Sequence, residues 1–180
     1  MTLYTSFTPG YDAPRTDGIL QVPANTFMAA KLAKICPHEV FNAEITVWCD
    51  GNIYLSEQNL RDIEKQLESS DIVVMTHPHR NCIYDEAAFC IEHGVGDTEK
   101  IKKQVEAYRL SGFNSWGLYA CGVVARRHSN TINFRSDLWF SHIEKWSSRD
   151  QISFPYVFQG IKIGTIPFES VEIRPHLKQI

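Results

Sequence analysis

The chain has little of what marks several large classes of protein. No apolar run approaches the length of a membrane-spanning helix, and the N-terminus lacks the basic and apolar segments of a signal peptide. The sequence therefore predicts a soluble, cytoplasmic protein with no membrane span. Its 18 lysines and arginines, set against 21 aspartates and glutamates, form no basic stripe, which argues against nucleic acid as a partner. A bound polyanion should then be small, such as a nucleotide or a nucleotide sugar.

Cysteine chemistry is also limited. The 5 cysteines are odd in number, widely spaced and include no C-x-x-C pair, which favours reduced and mostly buried thiols over disulfides or a zinc cluster. No repeat, low-complexity tract or linker divides the chain. Its 180 residues suit one compact domain that spans residues 1–180.

Strand-like and helix-like patterns alternate along the chain. Strands are predicted over residues 3–7, 44–48, 71–75 and 119–125, with weaker alternation after residue 160. Helices are predicted from a cap at Asn25 and over residues 60–67, 84–92, 98–110, 136–146 and 151–158, and residues 8–23 are predicted as a loop. This alternation predicts an α/β fold with a mixed, mostly parallel sheet flanked by helices.

The most informative segment is the apolar run Ile45–Cys49, which ends in Asp50, Gly51 and Asn52. Sheets in α/β proteins bind their ligands at the edge where the strands end. Two oxygen ligands at this spacing suit Mg²⁺ or Mn²⁺ that carries a substrate diphosphate. A plain turn is the alternative, because all three residues favour turns.

Two further polar clusters occur in the first half of the chain. Lys34 and His38 lie at the end of the first predicted helix, where the lysine suits either a phosphate or simply the helix dipole. His77, His79 and Arg80 follow the strand at residues 71–75. The guanidinium of Arg80 suits an anion, whereas the histidines suggest a zinc site that lacks a well-spaced further ligand.

The last cluster is Arg149-Asp150-Gln151, at the start of a predicted helix. A carboxylate at a helix N-terminus stays ionised, so Asp150 suits the binding of a sugar hydroxyl or the stabilisation of positive charge at an anomeric carbon. Gln151 adds a neighbouring amide. Helix capping by Ser148 or Asp150 is the alternative.

In this order, the clusters resemble a glycosyltransferase-like family of plants and bacteria that is linked to cell-wall polysaccharide synthesis in plants. The resemblance covers roughly residues 30–160. The similar stretches are Ala33-Lys34-Ile35-x-Pro37-His38-x-x-Phe41, Trp48-x-Asp50-Gly51-Asn52-Ile53, His77-Pro78-x-Arg80-x-Cys82-Ile83-Tyr84-x-Glu86-Ala87, Gln104-x-x-x-Tyr108-x-x-x-Gly112-Phe113, Gly117-Leu118, Arg126-Arg127-His128 and Arg149-Asp150-Gln151-x-Ser153-Phe154.

The resemblance implies a GT-A-like fold, a nucleoside diphosphate sugar donor, a glycan or other hydroxyl acceptor, and Mn²⁺ or Mg²⁺ as cofactor. The nucleotide's ribose would lie against Thr5 or Thr8. The candidate catalytic residues are Asp150, Gln151 and Arg80; the candidate donor-binding residues are Lys34, His38, Tyr11, His77 and Arg149; the candidate metal ligands are Asp50, Asn52 and His176. Two alternatives stay open: a metal-dependent hydrolase built on His77, His79 and Asp50, and a non-catalytic nucleotide- or sugar-binding module.

Overall fold

A computed structural model describes residues 1–8, 15–115 and 117–175, and a six-stranded sheet forms the centre of this part of the chain. Its strands are β1 (Thr2–Phe7), β2 (Leu20–Pro23), β3 (Ile45–Cys49), β5 (Ile72–Thr76), β6 (Tyr119–Arg127) and β7 (Ile163–Ile166). Two short strands, β4 (Ile53–Tyr54) and β8 (Glu172–Ile173), pair separately and antiparallel. The helices are α1 (Phe27–Ile35), α2 (Glu57–Leu67), α3 (Ile83–Glu92), α4 (Thr98–Leu110), α5 (Asn130–Lys145) and α6 (Asp150–Val157).

The strand order of the main sheet is β2-β1-β3-β6-β5-β7. Strand β6 runs antiparallel to both of its neighbours, β3 and β5, and the remaining pairs are parallel. The prediction of an α/β fold with a mixed, mostly parallel sheet is therefore confirmed. Because β1 and β3 are parallel neighbours, their carboxyl ends meet at one edge, and the residues that follow them come together there.

Both faces of the sheet are covered, which explains the nearly continuous apolar runs of its strands. One face packs its buried side chains, among them Trp48 and Val124, against Trp139 of α5 and Phe154 of α6. The other face packs against α2, where Ile63 lies at the centre of the contact. A third apolar cluster joins α3, α4 and α6. The 5 cysteines are all free, as predicted from their spacing.

The ends of some elements differ from the prediction. Thr26, and not Asn25, caps α1, because its side chain accepts a hydrogen bond of 3.1 Å from the backbone N–H of Ala29. Helix α5 was predicted to begin at residue 136 but begins earlier, at Asn130, and Ser129 caps it. Strand β2 lies inside the predicted loop. Within the described ranges, no helix has the length and apolar character that a membrane span requires.

Candidate functional site

A pocket of about 620 Å³ opens at the carboxyl edge of β1 and β3. Its walls come from the end of β1, the segment that leads into β2, one face of α1, the turn after β3, the first half of β6 and the start of α6. Sequence segments far apart in the chain meet here because β1 and β3 end side by side. This is where ligand sites of α/β sheets lie.

Asp50 enters the pocket from a tight turn. Its backbone carbonyl accepts a hydrogen bond of 2.8 Å from the N–H of Ile53, and its own N–H donates to the carbonyl of Gly122 on β6 at 2.8 Å. The indole N–H of Trp48 fixes the Asp50 side chain by donating to Oδ1 at 2.8 Å. Oδ2 has no hydrogen-bond partner among the described residues, and 39% of the side chain is exposed. The sequence therefore forms both the turn and a carboxylate that is open to a ligand.

Two lysines and two aspartates form a charged network in the pocket. The Nζ atom of Lys34 lies 3.2 Å from Oδ1 of Asp50 and 2.8 Å from Oδ2 of Asp150. The Nζ atom of Lys31 lies 2.7 Å from the same Oδ2. We call these residues the lysine–aspartate quartet. Their formal charges cancel, so the quartet as a whole is neutral.

The quartet holds its buried members in their charged forms. Burial alone would raise the pKa of the Asp150 carboxyl, but Lys31 and Lys34 outweigh it and hold that pKa well below its usual range. Burial alone would lower the pKa of Lys34, but Asp150 and Asp50 raise it above its usual value. Asp150 is thus a carboxylate at neutral pH and a weak base.

Arg149 and Gln151 line the wall beside Asp150. The Nη2 atom of Arg149 donates to Oε1 of Gln151 at 2.7 Å and to Oε1 of Glu86 on α3 at 2.8 Å. The side chain of Glu86 is only 1% exposed and also accepts from Nε of Arg80 at 2.7 Å. Arg80 itself stacks over the ring of Phe89 and does not line the pocket. The prediction that Arg80 faces the donor is therefore not supported, because Glu86 holds it behind the pocket wall.

The structure also separates the parts of the predicted zinc cluster. Nδ1 of His77 accepts hydrogen bonds from the backbone N–H groups of His79 and Arg80, at 3.3 and 3.1 Å, and its Nε2 lies 3.6 Å from Glu86. His77 therefore stabilises a turn, does not line the pocket, and does not converge with His79 and Asp50 on one point in the described structure. The described geometry therefore supports neither the predicted donor contact of His77 nor the zinc alternative.

His38 lies outside the pocket as well. Its Nε2 atom is 2.9 Å from Oδ1 of Asp137 on α5 and 3.7 Å from Oε1 of Glu39. Within the part of the chain that the structure describes, His38, Glu39 and Asp137 are the group of side chains close enough together to hold a metal ion. Glu39 and Asp137 are exposed, and acidic groups commonly gather at surfaces without an ion. The position of His38 is explained by its contact with Asp137.

Of the predicted metal ligands, the structure brings Asp50 to the pocket. Asn52 lies in the same turn, where its backbone carbonyl accepts a hydrogen bond of 2.9 Å from the N–H of Arg174, but its side chain does not line the pocket. Tyr11 and His176 lie outside the described residues, so their roles stay predictions.

The prediction missed Lys31 and the positioning of Arg149 by Glu86. Lys31 carried a usable signal, because residues three apart on a helix share a face and Lys34 was already a candidate. Glu86 occurs in one of the stretches that resemble the family, but nothing indicated its contact with Arg149, since an acidic residue in the first turn of a helix is usual. Thr5, which was suggested as a contact of the ribose, lines the pocket and has a buried hydroxyl with no hydrogen-bond partner among the described residues.

Comparison with known proteins gives matches of three kinds: a family model, curated relatives and a solved structure. A family model described as "TOD1/MUCI70, glycosyltransferase-like domain" matches residues 21–174. "Probable hexosyltransferase MUCI70" of Arabidopsis thaliana is 28% identical over 148 residues, which cover 75% of this chain and 25% of that protein. "Alkaline ceramidase TOD1" of the same plant is 26% identical over 178 residues, covering 87% of this chain and 38% of that protein. The chain thus spans well under half the length of these relatives. Among solved structures, A197 from STIV aligns with a TM-score of 0.42 and 9% identity over 100% of this chain and 98% of that one.

Proposed function

The chain belongs to the TOD1/MUCI70 family of glycosyltransferase-like domains, and on that premise we propose that its pocket moves a sugar from a nucleoside diphosphate sugar to a hydroxyl acceptor. The acceptor would be a glycan or another alcohol, and the fold a compact GT-A-like one. One observation carries the proposal: Asp50, at the carboxyl edge of the sheet and beside Lys34, offers a carboxylate oxygen, Oδ2, that has no hydrogen-bond partner among the described residues.

The residues present fit a divalent cation. Mg²⁺ and Mn²⁺ in such sites are held by one or two carboxylates, with water and substrate phosphates completing the shell. Asp50 would hold the ion through Oδ2. The ion would act as a Lewis acid toward the diphosphate. Charge balance supports this, because the neutral quartet has no surplus positive charge to offset a diphosphate.

The pocket also suits the two ends of a nucleotide sugar. At the β1 end, the buried hydroxyl of Thr5 suits a ribose hydroxyl, because a buried polar group without a partner is costly. Gln21 stiffens this end through hydrogen bonds to the backbone of Arg15, of 2.7 and 2.8 Å. At the α6 end, Arg149 and Gln151 would contact the sugar. The diphosphate would then lie near the quartet, between the two ends.

The reaction would break the bond between the anomeric carbon and a phosphate oxygen, and the acceptor oxygen would form the new bond while its proton passes to the departing diphosphate. Negative charge grows on the departing diphosphate. Lys34 is held in place by two carboxylates, so it would meet this charge with little reorganisation, which is the condition for lowering a barrier electrostatically. Asp150 would orient a sugar hydroxyl rather than act as a strong base, given its depressed pKa.

Isothermal titration with UDP and GDP, and with their sugar conjugates, tests the proposal with and without Mn²⁺. We expect one nucleotide to bind more tightly with Mn²⁺, and Asp50→Asn to lose that gain, a change of about tenfold or more. Asp137→Asn is the matched control, because it removes a carboxylate from the acidic group at His38. If Asp137→Asn removes the Mn²⁺ effect and Asp50→Asn does not, the assignment of Asp50 is wrong.

Turnover separates transfer from the other candidates. Release of free nucleotide from a donor sugar in the presence of an alcohol acceptor supports a transferase, whereas Mn²⁺-linked binding without release supports a binding module. The name of the TOD1 relative gives a second candidate, hydrolysis of the ceramide amide. Ceramide cleavage by a chain that binds no nucleotide would favour that candidate.

A further inference from the structure

We propose that Lys31 is a second diphosphate-binding lysine, and that in the free protein the carboxylate of Asp150 occupies it as an internal substitute for the donor's phosphate. The inference rests on the proposed function of the pocket and deepens it. It assigns a role to Lys31 and explains why a carboxylate expected to face the substrate is so heavily hydrogen-bonded.

The geometry around Asp150 is that of a bound anion. Two ammonium groups, from Lys31 at 2.7 Å and Lys34 at 2.8 Å, converge on the single oxygen Oδ2. The backbone N–H of Gln151 donates to Oδ1 at 3.0 Å. A carboxylate accepts about four hydrogen bonds, so Asp150 has most of its capacity in use. In this arrangement it has little left to offer a sugar hydroxyl.

Lys31 is the member of the pair that can change partner. Lys34 is buried and lies between two carboxylates, so moving it would leave both without a cation. Lys31 has Asp150 as its one carboxylate partner in the described structure, and its side chain is more exposed than that of Lys34. Its side chain is flexible, and its Nζ atom lies over the ring of Phe27, 5.5 Å from the ring centre. Both lysines lie on the same face of α1, so a shift of Lys31 toward a ligand needs no backbone movement.

Phosphate competes directly for this lysine. A phosphate oxygen carries charge and accepts hydrogen bonds as a carboxylate oxygen does, and Lys binds it as a point charge. When a diphosphate lies near the quartet, the ammonium of Lys31 transfers its hydrogen bond from Asp150 to the phosphate. Oδ2 of Asp150 then regains an acceptor position beside Gln151, where the reacting sugar is expected. Donor binding thereby prepares the carboxylate for the sugar.

The test measures binding of inorganic pyrophosphate and of UDP or GDP, each with Mn²⁺, by isothermal titration. Lys31→Met should weaken binding by on the order of tenfold, because it removes one charge-assisted hydrogen bond. Asp150→Asn keeps the shape but removes the competing charge, so it should bind pyrophosphate more tightly than the wild type. In the double variant, Asp150→Asn should give a smaller gain than in the wild type, since only Lys34 of the two lysines that it releases remains.

Lys102→Met is the matched control. Lys102 lies on the exposed face of α4, 2.6 Å from Glu99, and its loss should leave all affinities unchanged. Thermal unfolding of each variant shows whether it is folded. If Asp150→Asn does not fold, Lys31→Met alone decides.

The outcomes separate this inference from the proposed function. Unchanged binding in Lys31→Met, or weaker pyrophosphate binding in a folded Asp150→Asn, overturns the inference. The proposed function still stands in that case if Mn²⁺-linked nucleotide binding depends on Asp50. If the protein binds pyrophosphate in a way that depends on Lys31 but binds neither UDP nor GDP, the role of Lys31 is supported and the assignment of a nucleotide sugar as donor is overturned. A wild-type protein that binds neither probe overturns both.

Discussion

Two carboxylates of this protein, Glu86 and Asp150, remain charged although they are buried. Burial raises the pKa of each, and nearby cations reverse the shift: Arg149 and Arg80 for Glu86, and the lysines of the quartet for Asp150. Both pKa values therefore lie below their usual ranges. Each ion pair also positions something else, since Glu86 holds Arg149 at the pocket wall.

Glu86→Gln should destabilise the protein by about 2 kcal/mol in urea unfolding at pH 7, because two guanidinium groups lose their shared counter-charge. Since the folded pKa of Glu86 is depressed, its contribution is complete above the unfolded value of about 4.3 and is lost as the pH falls through the folded value. The gap between Glu86→Gln and the wild type should therefore narrow in acid. Glu99→Gln, at an exposed pair with Lys102, should match the wild type at every pH. A gap that widens in acid would contradict the assigned shift.

At the scale of elements, the position of Asp50 depends on the close approach of β6 to the turn after β3. A Cβ atom at Gly122 of β6 would lie 2.6 Å from Cδ1 of Ile53, 3.1 Å from Cε of Met75 and 3.3 Å from Oδ2 of Asp50. Glycine at this position therefore leaves room both for the apolar side chains and for the carboxylate. The close approach at Gly122 therefore matters both for the packing around β6 and for the position of Asp50 in the pocket.

Gly122→Ala should reduce stability by about 1–2 kcal/mol through crowding and should also weaken Mn²⁺-linked nucleotide binding, because the new methyl group presses on the Asp50 side chain. Gly164→Ala is a matched control on β7, where a Cβ would lie 2.5 Å from Oγ of Ser70 and 3.0 Å from Oε1 of Gln66. It should lose similar stability and keep nucleotide affinity. Urea unfolding and titration calorimetry measure the two effects, and equal affinities in the two variants would exclude the proposed link to Asp50.

Across the whole molecule, the fold class could be predicted from the sequence, and the composition of the pocket only in part. Asp50 and Lys34 lie together, which agrees with the family resemblance that places both at the donor. Arg80 follows β5, which ends at the same edge because β5 and β3 run in the same direction. However, β6 inserts antiparallel between β3 and β5, which places the end of β5 two strands away from Asp50. Local patterns predict that strands exist, but the order of the strands in the sheet depends on packing between segments far apart in the sequence.

The smaller errors also have identifiable physical causes. Asn25 and Thr26 are adjacent and both cap helices well, so propensity could not choose between them. Strand β2 has four residues in a segment rich in proline and glycine, and only its pairing with β1 makes it a strand. Helix α4 agreed with the prediction at both ends, because Asp97 supplies an unambiguous cap before a regular helical pattern.

Arg126 connects three elements of the fold: β6, on which it lies, the end of α1, and α5. It lies on β6 with no exposed surface and donates hydrogen bonds to the backbone carbonyls of Lys34, at 3.0 Å, and Ile35, and to Oγ of Ser136 on α5 at 3.1 Å. Burial lowers the pKa of its guanidinium. The end of α1, and with it the backbone of Lys34, is thereby fixed to the central strand of the sheet.

Arg126→Met should lower the free energy of unfolding by about 2–4 kcal/mol, because the carbonyls at the end of α1 lose buried donors. It should also weaken nucleotide binding, since the helix that carries Lys34 is no longer held against the sheet. Arg127→Met is the neighbouring control: the side chain of Arg127 is 42% exposed and pairs with Glu44 at the surface, so its loss should change stability by less than about 0.5 kcal/mol. Urea unfolding and calorimetry with UDP or GDP measure both effects. An Arg126→Met protein that loses stability but keeps full affinity would show that the quartet holds Lys34 without the sheet.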